Sequence, residues 1–493
     1  MDERLVETML LLQENSFEKG SITGVSDTKV IDSFAKRIGN IEAKSTHGSS
    51  CAEKSSLDVA VSFFGSAPDA GQVRNAFDAV RPGGTVIAVM PSGYLRLSRI
   101  LRAFPGARVY GLSPSLDDLR LAVPVGNSAC AAASLALYQP SLKKAKMRKA
   151  VAYCLARLGL AMMWARWLML VWRTESPDTA RGLPSLLHEC FGEEIEFALF
   201  TGTPGYLRKP TMQIMDASGD ILGYCKVATS PQTREVVENE ERTLKLLSGI
   251  DLGAAMVPEL VYSGGLTDGT PVLVQSTKKE HLSAAPLSPD AVHGDFLIRL
   301  FKQTKQEQQF LESAVFLDIR KRLSRLSGNA GDGLIRDLLA AFEWSSGMLE
   351  NAKIPLCLAH RDFTPWNTFL AGGRLYVFDW EFARTGWIPL ADAFHFVLQK
   401  GILVDHAGEG ILWERLMGET SQEGRFLKDH AMKVGISGGI YRAFLAFYLV
   451  DMITTYLLHH HGYGQVNADG QELLARWKGL LARVMGTEGS SSR

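Results

Sequence analysis

Net charge is absent from this chain: lysine plus arginine and aspartate plus glutamate stand at 53 each. No bulk attraction to nucleic acid or to a polyionic partner is encoded, so charge informs only locally. The six cysteines (Cys51, Cys130, Cys154, Cys190, Cys225, Cys357) lie far apart and form no Cys-x-x-Cys pair. Neither a zinc site nor a disulfide framework is indicated, and a reducing cytosol is the expected home. The opening MDERLVETMLLLQENS is acidic and lacks a basic region leading into an apolar one, which speaks against a signal peptide. No internal repeat is visible, and only the tail GTEGSSSR reads as low-complexity linker. What is present is 46% hydrophobic and 22% charged residues over a length of 493. That is enough for roughly two to four packed domains.

The runs GSITGVS, LDVAVSFFG, TVIAVMP and ARVYGLS are short and β-rich, and helical patterns such as KVIDSFAKRIG and QVRNAFDAV separate them. Strands alternating with helices predict parallel βαβ units over residues 1–125. A basic stretch, SLKKAKMRKA, and an apolar run, VAYCLARLGLAMMWARWLMLVW, follow. They are expected as a helical linker over 126–182, with Arg148, Arg166 and Arg173 on one face and Arg157 opposite. Arginine near a bilayer centre costs about 2.5 to 3.5 kcal/mol, which argues against a spanning helix. The helix is then either buried between domains or interfacial, drawn to anionic lipid by its lysines.

From residue 183 the pattern changes. EFALFTGTPGYLRKPTMQIMDASGDILGYCKVA predicts three antiparallel strands, REVVENEERTLKLLSGI a helix, and VPELVYSGG and TPVLVQS two further strands. This is a small antiparallel sheet plus one helix over 183–283. The remainder, 284–485, reads as mainly helical, with a disordered tail at 486–493.

Two motifs carry chemistry. HRDFTPWN places Asp362 five residues before Asn367, and LYVFDWEFA ends a strand-forming run on Asp379. Phosphoryl transfer needs a base that orients the acceptor, oxygen ligands for magnesium and a cation on the phosphates. Asp362 suits the first task and Asn367 and Asp379 the second, since carboxylate and amide oxygens match a hard ion. Lys226 on the third strand, fixed by Glu240 on the next helix, suits the third. Gly202 and Gly205, in the turn TGTPG, allow backbone N–H groups to approach phosphate oxygens. His360 is expected to brace the loop, and Arg361 to pair with either a phosphate or a carboxylate. Glu381 and Asp392 face the acceptor or form salt bridges. The similar HGDF at 293–296 has Leu300 where the Asn should be, and is not expected to be catalytic.

This order of parts resembles the aminoglycoside phosphotransferase and choline kinase group, which has the two-lobed protein-kinase-like fold, across roughly residues 183–480. HRDFTPWN matches the group's H-x-D-x-x-x-x-N loop and FDWEFA its D-W-x-x-A magnesium motif. The resemblance implies ATP or GTP and Mg2+ as cofactors, and a small-molecule hydroxyl acceptor. GTPG…RKP…K resembles phosphotransferase-like proteins linked to bacterial surface-glycan biosynthesis, and that resemblance implies a sugar or glycan precursor as acceptor. SSLDVAVSFFG, QVRNAFDAV and RPGGTVIAVMP resemble the second half of a class I S-adenosylmethionine methyltransferase, a Rossmann-like α/β fold. Here a lone Gly24 follows the first strand, and Glu42 lies inside the second. A degenerate domain is therefore expected, with methyl transfer and a nucleotide-binding pseudokinase scaffold as the alternative functions. No nucleic-acid or obligate protein partner is implied. A cytoplasmic protein with peripheral membrane contact through 143–172 is the expected setting.

Overall fold

The computed structural model describes residues 3–12, 19–25, 28–38, 40–44, 56–66, 68, 72–73, 75, 78–92, 94–137, 143–174, 182–192, 194–279, 287–326, 333–350, 352–436, 438–459 and 468–486. The expected tail at 486–493 lies outside them from residue 487 onward. The chain divides into two compact units, one of residues 1–237 with 259–281, the other of 238–258 with 282–493.

The first unit is built on one 12-stranded sheet. Its strands are β1 (Lys19–Thr23), β2 (Asn40–Lys44), β3 (Leu57–Phe63), β4 (Val80–Pro91), β5 (Arg108–Pro114), β6 (Leu119–Pro124), β7 (Trp167–Arg173), β8 (Ile195–Phe200), β9 (Thr211–Asp216), β10 (Ile221–Val227), β11 (Leu260–Gly265) and β12 (Pro271–Ser276). Their spatial order is β2-β1-β3-β4-β7-β5-β6-β8-β9-β10-β12-β11. The four strands from β2 to β4 pair in parallel, as the alternation of strand and helix requires. Every later pairing is antiparallel.

The sheet does not stop where a domain boundary is expected. Leu121 and Ala122 of β6 pair with Phe200 and Leu199 of β8, so strands from 1–125 and from the small antiparallel sheet share one ladder. An apolar core runs along it, from Leu5 and Val6 through Ile87 and Tyr110 to Val274. Nor is the segment 126–182 a helical linker. A helix covers Lys143–Arg157, and Gly159 at φ 73° then ends it, with the Leu160 amide donating to the Leu155 carbonyl in a Schellman arrangement. WLMLVWR, freed from the helix, becomes β7 between β4 and β5. A strand covered on both faces reads as an unbroken apolar run, which is why its period resembled that of a buried helix. Arg166 and Arg173 therefore share no helix face with Arg148.

The second unit is mainly helical. Its longest helix, Gly438–His459, is long and apolar enough to cross a membrane, but most of it is buried among helices Ala314–Leu326, Gly333–Leu349, Ala391–Leu403 and Ala468–Met485. Three short strands, β13 (Gln306–Gln309), β14 (Lys353–Ala359) and β17 (Arg384–Trp387), form one small sheet. A hairpin of β15 (Thr368–Ala371) and β16 (Arg374–Val377) forms another.

Candidate active site

β14 ends at Ala359, and the chain turns through His360, Arg361 and Asp362. Arg361 has φ 65°, a left-handed conformation that side-chain-bearing residues seldom adopt. Asp392 holds it there. Its buried carboxylate accepts the backbone N–H of His360 at 2.7 Å and of Arg361 at 2.8 Å. Burial pushes the Asp392 carboxyl above its usual range, against the opposing pull of those two amides. The expectation that Asp392 faces an acceptor or a salt bridge is thus corrected, because its oxygens serve its own chain's backbone.

His360 Nε2 lies 3.0 Å from the Phe378 carbonyl, and the Asp362 amide donates to Nδ1 at 3.3 Å. A neutral ring carrying hydrogen on Nε2 satisfies both contacts. The ring thereby ties the Asp362 loop to the strand end that carries Asp379. Arg361 pairs with a carboxylate: Nη2 donates to both oxygens of Asp451, at 2.8 and 3.1 Å, with the guanidinium 4.1 Å over the Trp387 ring. Arg322 donates to the same carboxylate at 2.6 Å. Burial alone would raise the Asp451 carboxyl, but Arg361 and Arg322 hold it below the usual range.

Asp362 keeps about 30% of its side chain exposed. Asn367 Nδ2 donates to its Oδ2 at 2.8 Å and to its backbone carbonyl at 2.9 Å. His395 Nε2 lies 3.2 Å from Oδ1, and His395 Nδ1 lies 3.0 Å from the Tyr448 hydroxyl. Burial, with Asp451, Asp392 and Asp362 nearby, pushes the Tyr448 hydroxyl far above its usual range. It therefore stays protonated and can donate to Nδ1, leaving Nε2–H to donate to Asp362. Each Asp362 oxygen then has one fixed donor and a further lone pair for a substrate hydroxyl. His395 and Tyr448 were not singled out from the sequence. The available signal was spacing, since His395 follows Asp392 by three positions on one helix face.

Asp379 is also left-handed, at φ 70° and ψ 57°, and leads into the 3-10 turn Trp380–Phe382. Asn239 clamps that turn, its Nδ2 donating to the carbonyls of Glu381 at 2.8 Å and Ala383 at 2.9 Å. One residue further along the same helix is Glu240, and carboxylate oxygens of Glu240, Asp379 and Glu381 all lie within 4.8 Å of one another. Hard oxygen donors so grouped fit a magnesium ion. The Asn367 carbonyl accepts the Phe378 amide at 3.1 Å, which joins the two motifs.

Among the residues expected from the sequence, the structure therefore groups Asp362 with Asn367, and Asp379 with Glu240, inside the second unit. Lys226, Gly202 and Gly205 belong to the first. Lys226 is buried on β10, opposite Thr211 and Leu273. Gly202 sits at φ 90°, where a Cβ would come within 2.6 Å of the Lys209 carbonyl, so glycine is required there. Gly205 is at φ 156°. Gly24 is likewise used by the sheet itself, a Cβ there falling 2.1 Å from the Phe63 carbonyl. Glu42 lies within β2, and its side chain is outside the described residues.

The model of the phosphotransferase enzyme family (APH) matches residues 224–399. Among curated proteins, none matches the chain. Several solved structures are similar. The apo form of a thermostable mutant of aminoglycoside phosphotransferase APH(4)-Ia has 16% identity and a TM-score of 0.42, covering 62% of this chain and 99% of that one. ADP-bound aminoglycoside phosphotransferase APH(2″)-Ib has 16% identity and a TM-score of 0.36, covering 60% and 98%. A protein of Haemophilus somnus 129PT assigned as a fructosamine-3-kinase has 12% identity and a TM-score of 0.38, covering 61% and 95%.

Proposed function

We propose, from the match of residues 224–399 to the phosphotransferase enzyme family model, that the protein moves the γ-phosphate of ATP or GTP to a hydroxyl of a small molecule, a sugar or glycan precursor being the acceptor class to screen first. The observation that carries this reading is Asp362: a partly exposed carboxylate, fixed from two sides by Asn367 and His395, on a loop locked by Asp392. An acceptor O–H donates to the spare lone pair of that carboxylate, which aims the oxygen and takes its proton as the bond to the γ-phosphorus forms and the bond from that phosphorus to the β,γ-bridging oxygen breaks, releasing the nucleoside diphosphate. Because such transition states are loose, alignment supplies more of the acceleration than proton removal does.

Asp379 and Asn367 would hold magnesium, with Glu381 and Glu240 beside Asp379 as further oxygen donors. Bound there, the ion neutralises charge on the transferred phosphate. Asn367 commits its Nδ2 to Asp362, so the amide oxygen is the end that those bonds leave for an ion. Lys226 is assigned to the nucleotide phosphates, and Gly202 and Gly205 to their backbone cradle. A cytoplasmic setting belongs to the same reading.

Calorimetric titration with ATP and magnesium, run on the natural protein and on Asp379→Ala, tests it. Micromolar binding that disappears without magnesium and in the variant is expected, followed by an acceptor screen with labelled ATP. If neither ATP nor GTP bound, the phosphotransferase reading would fall.

A further inference from the structure

Helix Lys143–Arg157 and the turn after it present an exposed apolar face. Met147, Val151 and Leu158 are 65%, 56% and 73% exposed, and Cys154 between them is exposed as well. Spacings of four, three and four place these four residues in one stripe along the helix. Met163, in the 3-10 turn that follows, is 70% exposed. On the opposite side Ala152 and Ala156 are buried, and Ala156 packs into the small core with Ala131 and Leu121. The helix is thus docked by its alanine side and offers larger apolar side chains outward, the reverse of ordinary amphipathic packing.

Lys146, Arg148 and Arg157 are exposed and lie about 80 to 100° either side of the stripe. The sequence has no aspartate or glutamate between Asp118 and Glu175. An apolar strip flanked by cations, in a stretch without acids, matches one kind of surface on both counts. Acyl chains take the strip, and anionic headgroups take the cations. At 15 residues the helix is too short to span a bilayer, where about 20 are needed, but suits an orientation in the membrane plane. We propose that the stripe Met147–Val151–Cys154–Leu158, with its flanking basic residues, docks this protein onto an anionic lipid surface.

The test is co-sedimentation of the full chain with vesicles of phosphatidylcholine alone or mixed with phosphatidylglycerol. The natural protein should pellet with the anionic vesicles, weakly with the neutral ones, and less as salt is raised. Leu158→Asp and Met147→Asp should each lower the partition coefficient about tenfold or more, and Lys146→Gln with Arg148→Gln about tenfold on anionic vesicles only. These side chains are exposed, and an unchanged melting temperature checks that each variant folds. Independently of any variant, anionic vesicles should slow the labelling of Cys154 by a water-soluble maleimide, read by peptide mass spectrometry. The proposal is overturned if anionic vesicles pellet no more protein than neutral ones, or if the variants bind like the natural chain. It is equally overturned if the stripe is the contact of a dimer that Met147→Asp dissociates and vesicles do not.

Discussion

His-x-Asp-Phe occurs twice in the second unit, and the two copies differ in every respect that matters for chemistry. At 360–363 the backbone leaves its strand, turns left-handed at Arg361 and offers a partly exposed Asp362. At 293–296 the same letters lie in helix Ala291–Thr304, where the Gly294 amide donates to the Asp290 carbonyl. His293 Nδ1 sits 2.7 Å from Asp290 Oδ1, and its ring packs edge-on against Phe363 and Phe396. What separates them is the carboxylate outside the triplet. Asp392 takes the two amides that would otherwise enter a helix or a ladder, whereas Asp290 caps a helix and leaves its amides to the usual pattern. A short motif thus acquires a chemical role through the group that satisfies its backbone.

Removing each copy's acid breaks the comparison at its widest point. Asp362→Ala should lower acceptor phosphorylation about a thousandfold, with calorimetric nucleotide affinity retained, while Asp295→Ala should leave the rate within about twofold. Equal losses from the two would remove the distinction drawn between the loops. Next in size is the carboxylate behind each copy. Asp392→Ala strands the buried His360 amide and the part-buried Arg361 amide and should cost about 3 kcal/mol in urea unfolding, against about 1 kcal/mol for loss of the helix cap in Asp290→Ala. Similar costs would mean that Asp392 does not lock the loop.

Much of this contrast was legible in the sequence. The Asn at position 367, the strand ending at Asp379 and the apolar Leu300 at the corresponding place in the other copy distinguish the two by sequence alone. So were the strands and helices bordered by turn residues. Less legible was whatever depends on partners distant in sequence. Asp392 lies 32 positions from the amide it receives, and Asp451 lies 90 from Arg361, so no local pattern announces either. The same holds for β7, whose apolar residues fit a buried helix as well as a strand until Gly159 is read as a helix end. It holds too for the β6–β8 pairing that fuses two expected domains into one sheet, since an edge strand carries no sign of what will add to it.

A finer test asks whether Asp362 needs its second donor. His395→Phe keeps the ring's bulk but deletes Nε2–H and the link to Tyr448. Asp362 would then hold only its bond from Asn367, and its aim at the acceptor would loosen. A single hydrogen bond to a charged group is worth about 1.5 to 3 kcal/mol, so kcat should fall at least about tenfold, with nucleotide affinity unchanged. His395→Gln, which can still donate, should recover part of the loss. If Phe and Gln behaved alike, the histidine would be acting through packing alone.

The smallest effect belongs to the histidine of the other copy. Burial lowers the His293 pKa below the ordinary 6.5, against the raising influence of Asp290. The folded protein therefore keeps this ring neutral at pH values where the unfolded chain already binds a proton. With the unfolded state holding more protons, stability rises with pH across that window and falls as pH drops below about 6.5 toward the lower folded value. His293→Gln retains a hydrogen-bonding side chain beside Asp290 but cannot titrate. Its melting temperature should thus decline less steeply than that of the natural protein between neutral and mildly acid pH, while above pH 7 the two curves run parallel. A steeper acid-side decline in the variant would mean that the ring is charged in the folded helix, and that the pair with Asp290 outweighs its burial.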